Sequence, residues 1–130
     1  MWSFKDKIKS FSFDEMACRN CPHCGGISDM NEDFMVRLQE LRDACSFPLP
    51  VNSGFRCQRK NEDCGGHPTS GHLTGEAADL RVERNQARVV IQKAIEMGFS
   101  VGIQQKGNSR FVHVDTKPRR SGNANLWSYA

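Results

Sequence analysis

The sequence predicts a mixed α+β fold, with a small antiparallel sheet and flanking helices. Two segments, at about residues 31–44 and 85–97, carry apolar residues at helical spacing. Three shorter segments, at residues 78–82, 101–103 and 111–115, have the composition of strands. Because these strands lie close together along the chain, we expect them to pair in the antiparallel sense.

The first helix is predicted by Phe34, Leu38, Leu41 and Cys45, which fall on one face. The Pro-Leu-Pro sequence at residues 48–50 ends this helix, because proline cannot continue it. The apolar face is therefore expected to pack on the core.

The segments between the two helices are predicted to be less regular. Residues 51–56 form a short extended piece, and residues 57–71, rich in Gly, Asn and Pro, are expected to form an ordered surface loop. In the second helix, Val90 and Ala94 belong to the buried face, and Gly98 is placed to cap the end. Loops of the kind expected here commonly carry functional sites.

The chain has 130 residues, enough for one domain with a single core and one site. We therefore expect residues 1–130 to form a single domain, with a Cys-rich loop at about residues 17–26. No apolar run approaches the roughly 20 residues of a membrane span. The net charge of +3 and the pI of about 8.6 are too small to predict nucleic-acid binding, but they fit attraction to an anionic polymer such as a bacterial cell wall.

The two ends of the chain are less informative. Residues 1–9 contain scattered charges and no continuous apolar stretch, so we expect no secretory signal and synthesis in the cytoplasm. Residues 121–130 are too polar for an assignment, although Trp127 and Tyr129 require something to pack on.

His72, Asp79 and His113 supply two neutral nitrogen ligands and one carboxylate. That donor set suits a catalytic zinc that keeps one position open for water. Gly75 must fold the chain back between His72 and Asp79, and His113 follows on a neighbouring strand, where side chains can converge. The side chain of Asp115 is expected to point to the same side of the strand as that of His113, because side-chain direction repeats every two residues. Asp115 is therefore expected either to accept a proton from water or to orient a ligand.

At these residues the sequence resembles a known family: the zinc D-alanyl-D-alanine carboxypeptidases, with related peptidoglycan endopeptidases and phage endolysins. The fold of this family is shared with the hedgehog signalling domain. The family pattern Ser-x-His-x-x-Gly-x-Ala-x-Asp is matched at every fixed position by Ser70, His72, Gly75, Ala77 and Asp79. Other positions that fit are His113 with Asp115, Ser53 to Arg56, Asn61, Gly65 with Gly66, and residues 11–16. The likeness covers about residues 11–120.

The resemblance implies a zinc ion held by His72, Asp79 and His113. It also implies that Arg56 holds the substrate carboxylate or stabilises the developing oxyanion, since a planar guanidinium can grip oxygens through two hydrogen bonds. An anchoring salt bridge is the alternative role for Arg56. Ser70 either hydrogen-bonds near the metal and substrate or shapes the turn.

The chain departs from the family pattern at Arg110. Several relatives place an acidic general base three positions before the last zinc ligand, where this chain has Arg110. Asp115 therefore takes the role of base by default, with Glu76 and His67 as weaker candidates.

The sequence contains six cysteines. The spacing Cys18-x-x-Cys21-x-x-Cys24 suits thiolate coordination of a structural zinc. The candidates for a fourth ligand are Cys45, Cys57, Cys64 and His23. Disulfide bonds are an equally good interpretation, although they belong to an oxidising compartment. A redox-active CxxC and a zinc-ribbon nucleic-acid module both lack their usual sequence context.

Together these patterns predict a zinc metallopeptidase that cleaves peptidoglycan stem peptides at bonds involving D-amino acids, as a carboxypeptidase or an endopeptidase. We expect a monomer without a nucleic-acid partner and without membrane insertion. Because peptidoglycan lies outside the cytoplasmic membrane, a phage-encoded lysis enzyme or a virion-associated enzyme fits best. The alternative is a non-catalytic, zinc-stabilised domain of the same fold that binds cell wall or a protein, which Arg110 in place of the acidic residue favours.

Overall fold

Three helices and five strands make up the described part of this computed structural model, which covers residues 1–118 and 125–129. In chain order they are α1 (Glu32–Cys45), β1 (Val51–Ser53), α2 (Gln58–Asp63), β2 (Ala77–Leu80), α3 (Arg84–Glu96), β3 (Ser100–Gln104), β4 (Phe111–Asp115) and β5 (Leu126–Ser128). Short 3₁₀ turns lie at Lys5–Lys7 and Gly71–Thr74. The predicted α+β class is confirmed.

Both predicted long helices are present, each shifted by one residue. The first begins after Asn31, whose side chain accepts a hydrogen bond of 2.9 Å from the Phe34 backbone N–H and so caps the first turn. The four residues of its predicted apolar face are all buried: Phe34, Leu38, Leu41 and Cys45. None of the described helices is long and apolar enough to cross a bilayer.

The strands form one sheet in the order β1-β2-β4-β3-β5. The pairs β2–β4 and β3–β4 are antiparallel, as predicted, and β1, within the extended piece at residues 51–56, also pairs with β2 in the antiparallel sense. The last strand, β5, differs, because it adds to the free edge of β3 in the parallel sense. The sheet is therefore mixed, and its fifth strand lies in a segment that could not be assigned from its residue pattern.

Alternation along β4 separates the core from the site. Val112 and Val114 are completely buried and belong to the hydrophobic core, which α1 and α3 cover. Because side-chain direction alternates along a strand, His113 and Asp115 face the other side of the sheet. The helices thus leave that face free to carry the functional site.

The expectation of an ordered surface loop over residues 57–71 is wrong in part. Residues Gln58–Asp63 form α2, and the thiol of Cys57 caps this helix by accepting a hydrogen bond from the Lys60 N–H. The helix is less than two turns long and buries only Asn61. It therefore has no apolar stripe that sequence periodicity could detect.

Candidate metal centre

The central strands bring two of the three predicted metal ligands together. Asp79 and His113 are direct partners in the β2–β4 register, and Asp79 Oδ1 lies 2.8 Å from His113 Nδ1. His72, in the 3₁₀ turn before β2, places its Nε2 atom 3.3 Å from the same aspartate oxygen. One donor atom of each residue lies within 4.8 Å of the other two. The predicted set therefore converges at one point.

The turn that carries His72 is shaped by the motif around it. Ser70 Oγ accepts a hydrogen bond of 3.2 Å from the His72 N–H, and Gly75 closes the turn with a φ of +72°. A side chain at Gly75 would collide with the backbone at residues 29–31, whose Asn31 N–H donates to the Gly75 carbonyl. Glycine is therefore required here, both for its positive φ and for the close approach. Ser70 acts in shaping the turn, and its contact with substrate stays a prediction.

The His72 ring is oriented by a hydrogen bond on the side away from the cluster. Its Nδ1 lies 2.6 Å from the Gly54 carbonyl oxygen, so Nδ1–H donates and Nε2 carries a lone pair. That buried Nε2 atom makes no hydrogen bond within the described part of the chain. A buried, preoriented lone pair beside a carboxylate fits a zinc ligand, and the His-Asp-His donor set fits the preference of zinc.

The His113 ring is held in the same manner by Asp115. His113 Nε2 lies 2.8 Å from Asp115 Oδ2, which leaves Nδ1 to face Asp79. The other carboxylate oxygen of Asp115 accepts a hydrogen bond of 3.2 Å from the Lys117 N–H. Asp115 is only 2% exposed. This geometry favours the role of orienting a ligand over the role of base. The carboxylate of Asp115 contacts Nε2 of His113, whereas Nδ1, which faces Asp79, would bind a metal ion.

The cluster favours an ionised Asp79. Burial opposes its charge, but the hydrogen bond from His113 and the close approach of the His72 ring outweigh burial and hold the pKa of Asp79 far below its usual value. Burial likewise opposes the charged form of His113, but the hydrogen bonds to Asp115 and Asp79 raise its pKa to about 9. A cation that binds at Nδ1 has to displace this proton, so metal affinity is expected to fall as pH falls.

The three ligands open onto a pocket of about 630 Å³. Arg56 lines it, and its backbone N–H donates to the His72 carbonyl at 3.0 Å. The buried Arg56 Nε finds no acceptor among the described residues. The other pocket-lining residues include Gly65, Gly66, His67, Thr69, Ser70, Phe111, Lys117, Trp127 and Tyr129. A cationic side chain with an unused donor thus stands beside the metal ligands, which fits the predicted role of Arg56 better than an anchoring salt bridge.

One wall of the pocket comes from β5, which sequence reasoning did not assign. The ring centroid of Trp127 lies 5.4 Å from that of His113, and Gly102 is the β3 partner of both residues. A Cβ atom at Gly102 would come within 2.6 Å of the Trp127 ring, so only glycine lets the indole lie across β3. Trp127 and Tyr129 are two residues apart in the sequence, as side chains on one face of a strand are. Such a short pattern of three residues is too little to identify a strand.

Of the two weaker candidates for a general base, Glu76 lies outside the pocket and His67 lines it, while Arg110, at the position of the family's acidic residue, also lies outside. The Arg110 guanidinium donates to the Gly107 carbonyl and does not line the pocket, and Glu76 accepts a hydrogen bond from Thr74 outside the pocket as well. Only His67 lines the pocket, where its Nδ1 accepts a hydrogen bond of 3.1 Å from the Thr69 N–H. Among described residues, the carboxylates that line the pocket are Asp79 and Asp115.

An α+β fold that brings two histidines and an aspartate together beside an open pocket is typical of a zinc-dependent hydrolase. The chain belongs to the peptidase M15 family, whose model matches residues 9–115. It is also similar to the zinc D-Ala-D-Ala carboxypeptidase of Streptomyces albus G, with 33% identity over 97 residues. The matched stretch covers 72% of this chain and 36% of that protein. The family that the motifs indicated is therefore confirmed.

Proposed function

We propose that this chain is a zinc metallopeptidase that hydrolyses peptide bonds of bacterial peptidoglycan stem peptides, at bonds involving D-amino acids. The observation that carries the proposal is the convergence of His72, Asp79 and His113 beside a pocket lined by Arg56. Similarity to a protein named zinc D-Ala-D-Ala carboxypeptidase supports the substrate class. A single domain over residues 1–130, a monomeric state, synthesis in the cytoplasm, action on the cell wall and phage or virion association stay predictions.

Each residue of the site contributes a distinct part of this reaction. A zinc ion held by the three ligands supplies Lewis-acid activation of water and of the scissile carbonyl. Arg56 binds the substrate carboxylate or the developing oxyanion through its unused donors. Asp115 orients His113 and increases the basicity of its Nδ1. The Trp127 ring covers His113 on one side and limits the access of solvent to it.

Incubation of the purified protein with peptidoglycan tests the proposed function. We expect new amino termini to appear, to be absent in the presence of a chelator, and to return when zinc is added back. Mass spectrometry of the released muropeptides then identifies the bond and separates a carboxypeptidase from an endopeptidase. A fully zinc-loaded protein that binds peptidoglycan but releases no amines would support the binding domain instead.

The Asp115→Asn variant separates the two roles of that residue. An asparagine can still accept the His113 N–H but carries no charge, so we expect zinc affinity to fall about 10- to 100-fold. Most of the activity should return at saturating zinc. Zinc titration followed by turnover measurements over a range of pH checks this expectation. A loss of kcat at full zinc occupancy, with unchanged zinc affinity, would instead make Asp115 the general base.

A further inference from the structure

We propose a second metal site, outside the pocket, in which Cys18, Cys21, Cys24 and Cys57 bind a structural zinc ion. One sulfur atom of each lies within 4.8 Å of the other three. These are the three closely spaced cysteines of the Cys-rich loop and one of the four candidates for a fourth ligand. The remaining candidates, Cys45, Cys64 and His23, are not members of the group.

The spacing of the sulfur atoms fits a tetrahedral zinc site. With a Zn–S bond of about 2.3 Å, the sulfur atoms of a tetrahedral site are roughly 3.8 Å apart. The Cys21 and Cys57 sulfur atoms are 3.5 Å apart, and all six cysteines of the chain are free thiols in this structure. Disulfides would hold the sulfur atoms in pairs about 2.0 Å apart, whereas the Cys21 and Cys57 sulfur atoms are 3.5 Å apart and all four sulfur atoms lie within 4.8 Å of one another. Four convergent thiols also complete the closed coordination that structural zinc sites show.

Backbone N–H groups point at the sulfur atoms. Cys18 accepts from the Cys57 N–H at 3.4 Å, Cys21 from the His23 N–H at 3.4 Å, and Cys57 from the Lys60 N–H at 3.5 Å. Four thiolates around one zinc ion leave a net charge of −2, and donors of this kind stabilise that charge. Cys18 is buried and the other three are half-buried, so the site is shielded while an entry path from solvent remains.

The position of Cys57 indicates which two segments a zinc ion at this site would hold together. Cys57 follows Arg56 directly, whereas the other three ligands belong to a loop about 35 residues earlier in the chain. Backbone hydrogen bonds join the same two segments, with Phe55 N–H donating to the Met16 carbonyl at 2.8 Å. Zinc would therefore fix the N-terminal loop against the segment that carries the pocket arginine. This inference does not depend on the proposed peptidase activity.

Metal counting tests the proposal on the full chain, purified without chelator. We expect two zinc ions per wild-type chain, and one after Cys24→Ser. The matched control is Cys64→Ser, which changes an exposed cysteine outside the cluster and should keep both zinc ions. The His72→Asn variant should lose only the zinc of the pocket, so the failure of one site can be distinguished from the failure of the other.

Two measurements on the wild-type protein keep the test decisive if a cysteine variant does not fold. A mercurial reagent, which displaces zinc only from thiolates, should release one zinc ion per chain. Cobalt substitution should give an intense near-ultraviolet band from thiolate-to-metal charge transfer, which histidine and carboxylate ligands do not produce. One zinc ion per wild-type chain, without release by the mercurial, would overturn the proposal. So would a Cys21–Cys57 disulfide found by mass spectrometry.

Discussion

Replacement of His72 with asparagine is expected to abolish the hydrolysis of peptidoglycan peptides. The asparagine amide can still donate to the Gly54 carbonyl, as Nδ1 of His72 does at 2.6 Å, but it lacks the lone pair that Nε2 presents to Asp79. The cluster then retains one imidazole and one carboxylate, from His113 and Asp79, too few ligands to hold a catalytic zinc. Turnover should fall to the level of the chelator-treated protein, and the zinc content should fall by one ion per chain.

The matched control for this variant is His23→Asn. Nε2 of His23 lies 2.9 Å from the exposed carboxylate of Asp63, and His23 does not line the pocket. The control should keep wild-type turnover, since a contact between surface side chains contributes little to stability. Release of amino termini and metal analysis check both variants, and circular dichroism shows whether each is folded. A His72→Asn protein that is zinc-loaded and active would refute the assignment of the metal centre.

The convergence of His72, Asp79 and His113 could be predicted because the sequence places these residues on short, regular elements. Gly75 allows the positive φ of the turn between His72 and Asp79, and the alternation of β4 fixes the side of the sheet that His113 faces. The antiparallel pairing of β2 with β4, which α3 and β3 separate along the chain, makes Asp79 and His113 direct partners. Local chemistry and one strand pairing were therefore enough to assemble the site.

The side of the strand on which Asp115 lies could not by itself decide the role of this residue. The period of two along β4 places Asp115 on the same side as His113, which is compatible with either role. The rotation of the imidazole ring favours the orienting role, because it turns Nε2 towards Asp115 and Nδ1 towards Asp79. Ring rotation depends on contacts from several strands and leaves no trace in residue spacing.

The parts that sequence reasoning missed depend on contacts between distant segments. Trp127 reaches His113 only because β5 pairs with β3 across Gly102, a contact that joins the end of the chain to its middle. Similarly, the spacing of Cys18, Cys21 and Cys24 predicts three ligands but cannot select Cys57 as the fourth. A short helix such as α2 also escapes detection, because it buries a single polar residue.

Replacement of Arg56 with glutamine is expected to raise the KM for substrates that end in a free carboxylate. A charge-assisted hydrogen bond is worth about 1.5–3 kcal/mol, so kcat/KM should fall roughly tenfold to a hundredfold or more. Arg56→Lys should recover only part of this loss, because an ammonium group cannot make the paired hydrogen bonds of a guanidinium. Steady-state kinetics on a stem-peptide substrate measure both variants. The matched control is Arg59→Gln, which removes an exposed arginine outside the pocket.

A substrate whose C-terminus is amidated identifies which oxygen Arg56 binds. If Arg56 holds the carboxylate, the wild-type protein should cleave the amidated peptide poorly, and Arg56→Gln should cleave it at nearly the same rate. If Arg56 instead stabilises the oxyanion, the substitution should lower kcat for both peptides by the same factor, since that charge develops only in the transition state. Equal kinetics of wild type and variant on both peptides would remove Arg56 from the site. The unused Nε donor beside the metal ligands would then have to be explained by some other acceptor.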